Sequence, residues 1–370
     1  MKDVYITGSN IVSPLGMTTQ ENYSKVKKGV SGIDQIDDRH YYPSAFYGSL
    51  ITDNQFLVQE HSRLESMFIH SIQTAIDENT EPIDKENCLL ILSTTKGNID
   101  LLDEGDEIHK DVFLGTLSEK INAHFGFKKN PMMVSNACIS GVMAINMAAR
   151  YIETGKYSQV IVSGGDIITE FVVSGFSSLM ALSAGHCRPY DKERDGINIG
   201  EACATIIMSG ANTNSSVKVL AGFTSNDANH ISGPSRTGDG LYNSISKSLE
   251  DHKISTREID FINAHGTATA FNDDMESKAF KLAELDHTPV NSFKSYFGHT
   301  LGAAGVIESI ISVESMKDNC LIKSLGFKQN GTTFDLNVIG ENCNKNVTTV
   351  LKTASGFGGC NAAVIFQKDE

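Results

Sequence analysis

The chain has 370 residues, with 45 acidic against 31 basic side chains, a formal charge of −14, 40% apolar residues and no tryptophan. That charge argues against a nucleic-acid binder, which needs clustered Lys and Arg to neutralise phosphates. Seven cysteines without CxxC spacing argue against a zinc site or a disulfide framework.

In chain order, strand-like runs fall at Val4–Gly8, Cys88–Thr94, Pro131–Asn136, Gln159–Asp166 and Ala202–Met208. Helices are expected at Ser62–Asn79 and Ser140–Thr154 between them. A polar stretch, Ser209–Lys218, reads as a linker, after which the pattern begins again. A strand is expected at Lys218–Phe223, a helix at Gly240–His252, and a strand running into a loop at Ile259–Gly266. There follow a helix at Asp273–Glu284, a strand at Pro289–Phe293, a helix at Gly302–Lys317 and paired strands at Thr349–Ser355 and Ala362–Lys368. Alternating strands and helices indicate an α/β fold with mostly parallel sheets. Both halves end on a glycine turn and an apolar strand, "GEACATIIM" and "GFGGCNAAVIF", which hints at duplication. "MKDVYITGSNIVSPLG" lacks a signal-peptide pattern, and no apolar helix candidate reaches spanning length. The reducing cytosol is the expected setting.

Four stretches carry possible chemistry. In "VSNACISGVMAINMAARYIETG", Cys138 precedes a helix whose small and apolar residues fit burial on most sides and whose natural stop is Gly155. A helix N-terminus favours thiolate and offers N–H groups to an oxyanion. A buried, inert thiol is the competing reading. In "INAHGTATAFNDDMES", His265 projects from a strand end, where open α/β sheets bind ligands. Thr267 and Thr269 beside it can bond an amide-containing arm; otherwise this is a turn, with Asp273 and Asp274 favouring the next helix start. In "VNSFKSYFGHTLGAAGVIES", Lys294 and His299 flank a glycine turn, and Glu308 lies in the following helix. In "SGFGGCNAA", glycines around Phe357 let amides approach a ligand closely. No dinucleotide fingerprint or phosphate loop occurs.

Taken in order, these motifs resemble an elongating β-ketoacyl-[acyl carrier protein] synthase, a condensing enzyme of the thiolase-like superfamily. "ITGSNIVSPLG" and "RPYDKERDGINIGE" (Arg188–Glu201) add to the likeness, which covers nearly the whole chain. The resemblance implies two βαβαβαββ halves, 1–210 and 211–370, in a five-layered αβαβα unit, usually a homodimer. It implies a Cys–His–His triad at Cys138, His265 and His299, with Lys294 as the active-site lysine and Glu308 as its partner. The amides of Cys138 and Phe357 would form the oxyanion hole, Phe357 the gate, and Thr267 and Thr269 would bind phosphopantetheine. Acyl and malonyl thioesters on acyl carrier protein would be the substrates, with no metal or other cofactor. A thiolase, or a chain-length-determining partner of another synthase, are the alternatives. Such partners usually lack the cysteine.

The chain departs from the family in places. Ile139 follows the nucleophile and is expected to reshape the acyl pocket. Ser355 replaces a first phenylalanine before Phe357. Ala202 and Ala204 replace glycines, and Asn272 stands at a glycine position. Loops between Thr94 and Phe113 and between Met208 and Val217 are trimmed. These changes tilt the expectation towards a specialised polyene or polyketide route and leave open a heterodimer with a related subunit. Arg63, Lys128 and Lys129 are the candidate cations for docking an acidic carrier protein, against ordinary surface charge.

Overall fold

A computed structural model describes residues 2–102, 108–211, 217–227 and 229–368. The trimmed loops and the polar linker expected from the sequence lie partly outside these residues.

Eleven strands form the main sheet: β1 (Tyr5–Val12), β2 (Leu89–Ser93), β3 (Met132–Val134), β4 (Gln159–Asp166), β5 (Ala202–Ser209), β6 (Val217–Leu220), β7 (Thr224–Asn226), β8 (Phe261–Asn263), β9 (Val290–Asn291), β10 (Thr349–Gly356) and β11 (Cys360–Lys368). The first five run in the order β3-β2-β4-β5-β1, and the same order recurs as β9-β8-β10-β11-β6. The two sets meet where Tyr5 of β1 faces Lys218 of β6. β7 pairs with β11.

The sheet is more mixed than expected. Parallel pairing is confined to β2 and β8 with their neighbours. β5 and β11 run antiparallel to all of theirs.

The nine α-helices among the described residues are α1 (Thr19–Lys27), α2 (Arg63–Asp77), α3 (Leu114–Phe125), α4 (Ser140–Glu153), α5 (Glu170–Ser178), α6 (Asp239–His252), α7 (Ala270–Leu282), α8 (Lys294–Phe297) and α9 (Ala304–Lys317). Side-chain alternation along the strands decides the layers. Leu90 and Leu92 face α2 and α3, whereas Leu89 and Ile91 face a central cluster with α4 and α9. In the second set, Ile262, Leu351 and Ile365 face α6 and α7, while Val350 and Val364 face the same central cluster. The result is five layers, helix–sheet–helix–sheet–helix, with the strands covered on both faces.

α4 and α9 approach closely because each is a glycine where they touch. A Cβ on Gly141 would meet the Val306 nitrogen at 2.9 Å, and one on Gly305 would collide with the backbone of Val142. Their crossing sets the starts of the two central helices side by side. The sequence marks the helix ends locally. Ser62 and Glu65 form a capping box on α2. Gly155, with φ 73°, follows the end of α4. Among the described residues no helix is long and apolar enough to cross a membrane.

Candidate active site

Between β3 and α4 the chain makes a tight turn in which Ala137 has φ 45°. The Ser140 hydroxyl fastens this turn, accepting from the Asn136 N–H (2.8 Å) and donating to the Ala137 carbonyl (2.6 Å). Cys138 is thereby presented just ahead of the first turn of α4, buried but facing the cavity. Ile139 packs into the central core and is not among the residues that line that cavity.

His265 leaves the end of β8. The buried Glu276 of α7 accepts from the N–H groups of His265 (2.8 Å) and Gly266 (2.7 Å), and from the Tyr190 hydroxyl (3.0 Å). Asp273 stands in the first turn of α7, as expected of a residue favouring the helix start, and also accepts from the Tyr190 N–H at 2.7 Å. Asn272 is helical rather than left-handed, and its amide donates to Glu276 at 3.0 Å. His299 follows the short α8. Its N–H donates to the Asn198 carbonyl (2.6 Å), and its carbonyl accepts from the Gly200 N–H (3.0 Å). The "GINIGE" part of the central signature is therefore the strap that fixes His299.

These segments bring three side chains together. His299 Nε2 lies 2.9 Å from Cys138 Sγ. The rings of His265 and His299 meet edge to face at 5.2 Å. The sulfur and the nearest nitrogens all fall within 4.8 Å of one another, a spacing within reach of one metal ion as well as of one reacting thioester. Both Nδ1 atoms are buried without a hydrogen-bond partner. An orphaned N–H costs more than an orphaned acceptor, so the ring protons belong on Nε2, which makes both imidazoles donors toward the shared space.

Burial pushes the Cys138 thiol up to about 12, with Cys360 adding to the effect; Lys294 and the Phe357 N–H oppose it. Burial, then the Lys294 ammonium, holds both histidines well below the usual imidazole range. The resting centre is a neutral thiol beside two neutral imidazoles. Lys294 is fully buried and ion-paired with Glu308. Sequence reasoning missed a second lysine on that carboxylate, Lys352 of β10, at 2.6 Å. Its only signal was a charge inside an apolar strand, "TVLKTAS".

A cavity of about 500 Å³ opens over the three side chains. Thr267 and Thr269 line it, with their hydroxyls 2.8 Å apart. The β10–β11 turn forms its wall. A Cβ on Gly356 would meet Cys360 Sγ at 2.9 Å and the Cys138 nitrogen at 3.0 Å, so only glycine lets the turn close on the nucleophile. Phe357 is partly exposed and stacks on Phe176 of α5, with ring centroids 5.7 Å apart. Ser355, in place of the family's first phenylalanine, donates to Asn361 Oδ1 (2.8 Å), which ties the turn to Asp227.

Of the docking candidates, Arg63 is spent within the fold. Its guanidinium donates to Glu201 (2.6 Å), the Ile51 carbonyl (2.6 Å) and Asn54 (3.0 Å). Lys128 is exposed, and Lys129 borders a separate shallow hollow with Lys156 and Tyr157.

Two family models match end to end: "Beta-ketoacyl synthase, N-terminal domain" over residues 103–214 and "Beta-ketoacyl synthase, C-terminal domain" over 216–328. The chain belongs to the β-ketoacyl synthase family. It is 27% identical to 3-oxoacyl-[acyl-carrier-protein] synthase 2 of Staphylococcus aureus (strain COL), across 100% of this chain and 99% of that protein. Among solved structures, a β-ketoacyl synthase from Burkholderia phymatum STM815 superimposes with a TM-score of 0.92 at 24% identity, covering 100% of both chains. A chain from the complex of a Xenorhabdus doucetiae ketosynthase with its chain length factor gives 0.90 at 24% identity, covering 100% of this chain and 98% of that one. These superpositions bear out the thiolase-like fold expected from the sequence.

Proposed function

We propose that this chain catalyses decarboxylative Claisen condensation of an acyl thioester with malonyl-[acyl carrier protein]. The observation that carries this reading is the convergence of Cys138 Sγ with two imidazole nitrogens within 4.8 Å under one cavity. In the first half-reaction Cys138 sulfur attacks the acyl carbonyl, the oxyanion meets the amides of Cys138 and Phe357, and the carbonyl–sulfur bond to pantetheine breaks, the departing sulfur taking up the proton that the Cys138 thiol gives up. In the second, the malonyl C–CO₂⁻ bond breaks and its electron pair forms an enolate. Nε2–H groups of His265 and His299 hold the enolate oxygen. The enolate carbon attacks the acyl-cysteine, and the β-ketoacyl thioester forms as the Cys138 thiolate is expelled and reprotonated.

Lys294, with Glu308, contributes electrostatically from beneath the histidines, and Thr267 and Thr269 hold the phosphopantetheine arm. The division into halves at 1–210 and 211–370 belongs to the same reading, since each half supplies part of the triad. The substrates arrive on an acidic acyl carrier protein, met by local cations such as Lys128 and Lys129, and no metal or redox cofactor is needed. The assembly is a dimer, of two copies or with a related subunit; the mass of the purified chain in solution separates these.

Incubation with acyl-carrier proteins of varied chain, then malonyl-carrier protein, followed by intact-protein mass spectrometry, tests the reaction. An acyl mass on Cys138 that clears as a β-ketoacyl product is expected. No loading from any chain, alone or with a related subunit, counts against it.

A further inference from the structure

One carboxylate in the core serves two ammonium groups. Glu308, in the second turn of α9, pairs through Oε1 with Lys294 and through Oε2 with Lys352 at 2.6 Å. Lys352 also donates to the Thr353 carbonyl at 2.7 Å. Both lysines are 0% exposed, and Glu308 is 2% exposed. The cluster therefore carries one more positive than negative charge in a dry interior, where a fixed charge acts strongly.

The fold aims that surplus at the site. Lys352 sits opposite Asn263 in the parallel pairing of β10 with β8, two residues before His265. Lys294 lies five residues before His299, and α9 begins five residues after it. The charged and titratable groups around Lys352 are Glu308 of α9, Lys294 of α8 and Glu276 of α7, with His265 and His299 beyond. In the equivalent position of the first sheet, where Val162 pairs with Ile91 as Lys352 does with Asn263, the residue is apolar. Register alone does not require a lysine there.

We propose that Lys352 is a second electrostatic positioning residue: it holds Glu308 and adds a second positive charge behind the two histidines, which favours the enolate formed when malonyl loses its carboxylate. This rests on the proposed condensation. The charge is placed where negative charge develops in the second half-reaction, because Lys352 lies opposite Asn263 on the strand that leads to His265 and its field reaches both imidazoles, whereas Cys138 stands at the start of α4. The effect should therefore split between the half-reactions.

The test compares wild type, Lys352→Gln, Lys352→Met and the double variant Lys352→Gln/Glu308→Gln. The assays are acyl loading of Cys138 by intact mass, malonyl-carrier-protein decarboxylation, and thermal melting. Gln retains a donor for Glu308 and removes the charge. Both single variants are expected to lose about tenfold in decarboxylation, with loading within about threefold of wild type. The double variant restores a single surplus charge through Lys294 and recovers part of the loss. Normal decarboxylation by Lys352→Gln with a defect only in Lys352→Met overturns the proposal, because hydrogen bonding then suffices. So does a proportional loss of both half-reactions with a lowered melting temperature, failure of the single variants to fold, or a double variant slower than either. If wild type itself loads but does not condense, the fault lies in the proposed reaction rather than in Lys352.

Discussion

The two sheets of this molecule share one strand order and diverge in what their loops carry. After β3 the chain turns directly into a central helix and presents a nucleophile; after β9 it inserts α8 and presents a lysine and a histidine. Each set also has one buried carboxylate that fastens a loop. Asp166, at the end of β4, accepts from the Thr94 hydroxyl (2.7 Å), the Thr95 N–H (2.9 Å) and the Gly302 N–H (2.7 Å), so it ties one half to the start of the other's central helix. Glu276 holds His265 and Gly266 of its own half and also accepts from the Tyr190 hydroxyl of the other. The same scaffold position can thus hold a covalent group or a charge, and the buried acids decide which loops stay in place.

Mutations can break this division of labour. Under the proposed mechanism, Cys138→Ala removes loading altogether, a loss of about 10³-fold or more by acyl-transfer assay. His265→Asn or His299→Asn is expected to keep most loading and to slow decarboxylation by about 10²- to 10³-fold, the scale of losing an oxyanion donor. Equal loss of both half-reactions would instead place the histidines on the nucleophile's side. Gly356→Ala forces a methyl into the turn and should cost about tenfold in loading, read by mass spectrometry. Glu276→Gln leaves backbone N–H groups facing an amide, and Asp166→Asn does the same. Each should cost about 2 kcal/mol in denaturant unfolding. Glu276→Gln should slow decarboxylation more than loading, and Asp166→Asn should slow both.

Much of this was legible in the sequence because it is local. β2 carries an apolar run from Leu89 to Leu92, Ser62 and Glu65 spell a cap, and Gly155 spells a stop. Cys138, His265 and His299 could be grouped only through the ordered motifs, since neither periodicity nor spacing measures a distance across 161 residues. Helix α5 escaped because Val172, Val173 and Gly175 suit strand or loop. Its helix depends on the Thr169 cap, which accepts from the Val172 N–H. Arg63 read as a surface cation because its acid, Glu201, lies 138 residues away. Glu276 and Lys352 were hidden for the same reason: their partners come from other layers, and a charged residue in an apolar setting signals a partner without naming it.

The smallest expected effect concerns pH, and it arises in the second half alone, whose loops and helices carry His265, His299 and Asp273. Burial keeps His265 and His299 neutral and lowers their proton affinity in the folded state. Below pH 6.5 the unfolded chain takes up protons that the folded chain refuses. Stability from this source is therefore present above that pH and falls as pH drops through it. The slope is about 1.4 kcal/mol per imidazole per pH unit while the rings stay neutral. Asp273 acts in the opposite sense, because burial first, then Glu276, pushes it up to about 7. Its favourable contribution is full below about pH 4 and is lost as pH rises towards 7. Urea unfolding from pH 5 to 7 should consequently show wild-type stability rising by about 1.4 kcal/mol per pH unit near pH 5, two imidazoles against one carboxyl, and levelling towards pH 7. His265→Asn/His299→Asn should leave Asp273 dominant, so that stability falls with rising pH. Asp273→Asn should do the reverse, and stability should rise with pH. Decarboxylation should stay level as pH falls through 6.5, since the imidazoles are already neutral there. An acid limb centred at or above 6.5 would mean that one ring takes up a proton there and that burial does not hold it neutral.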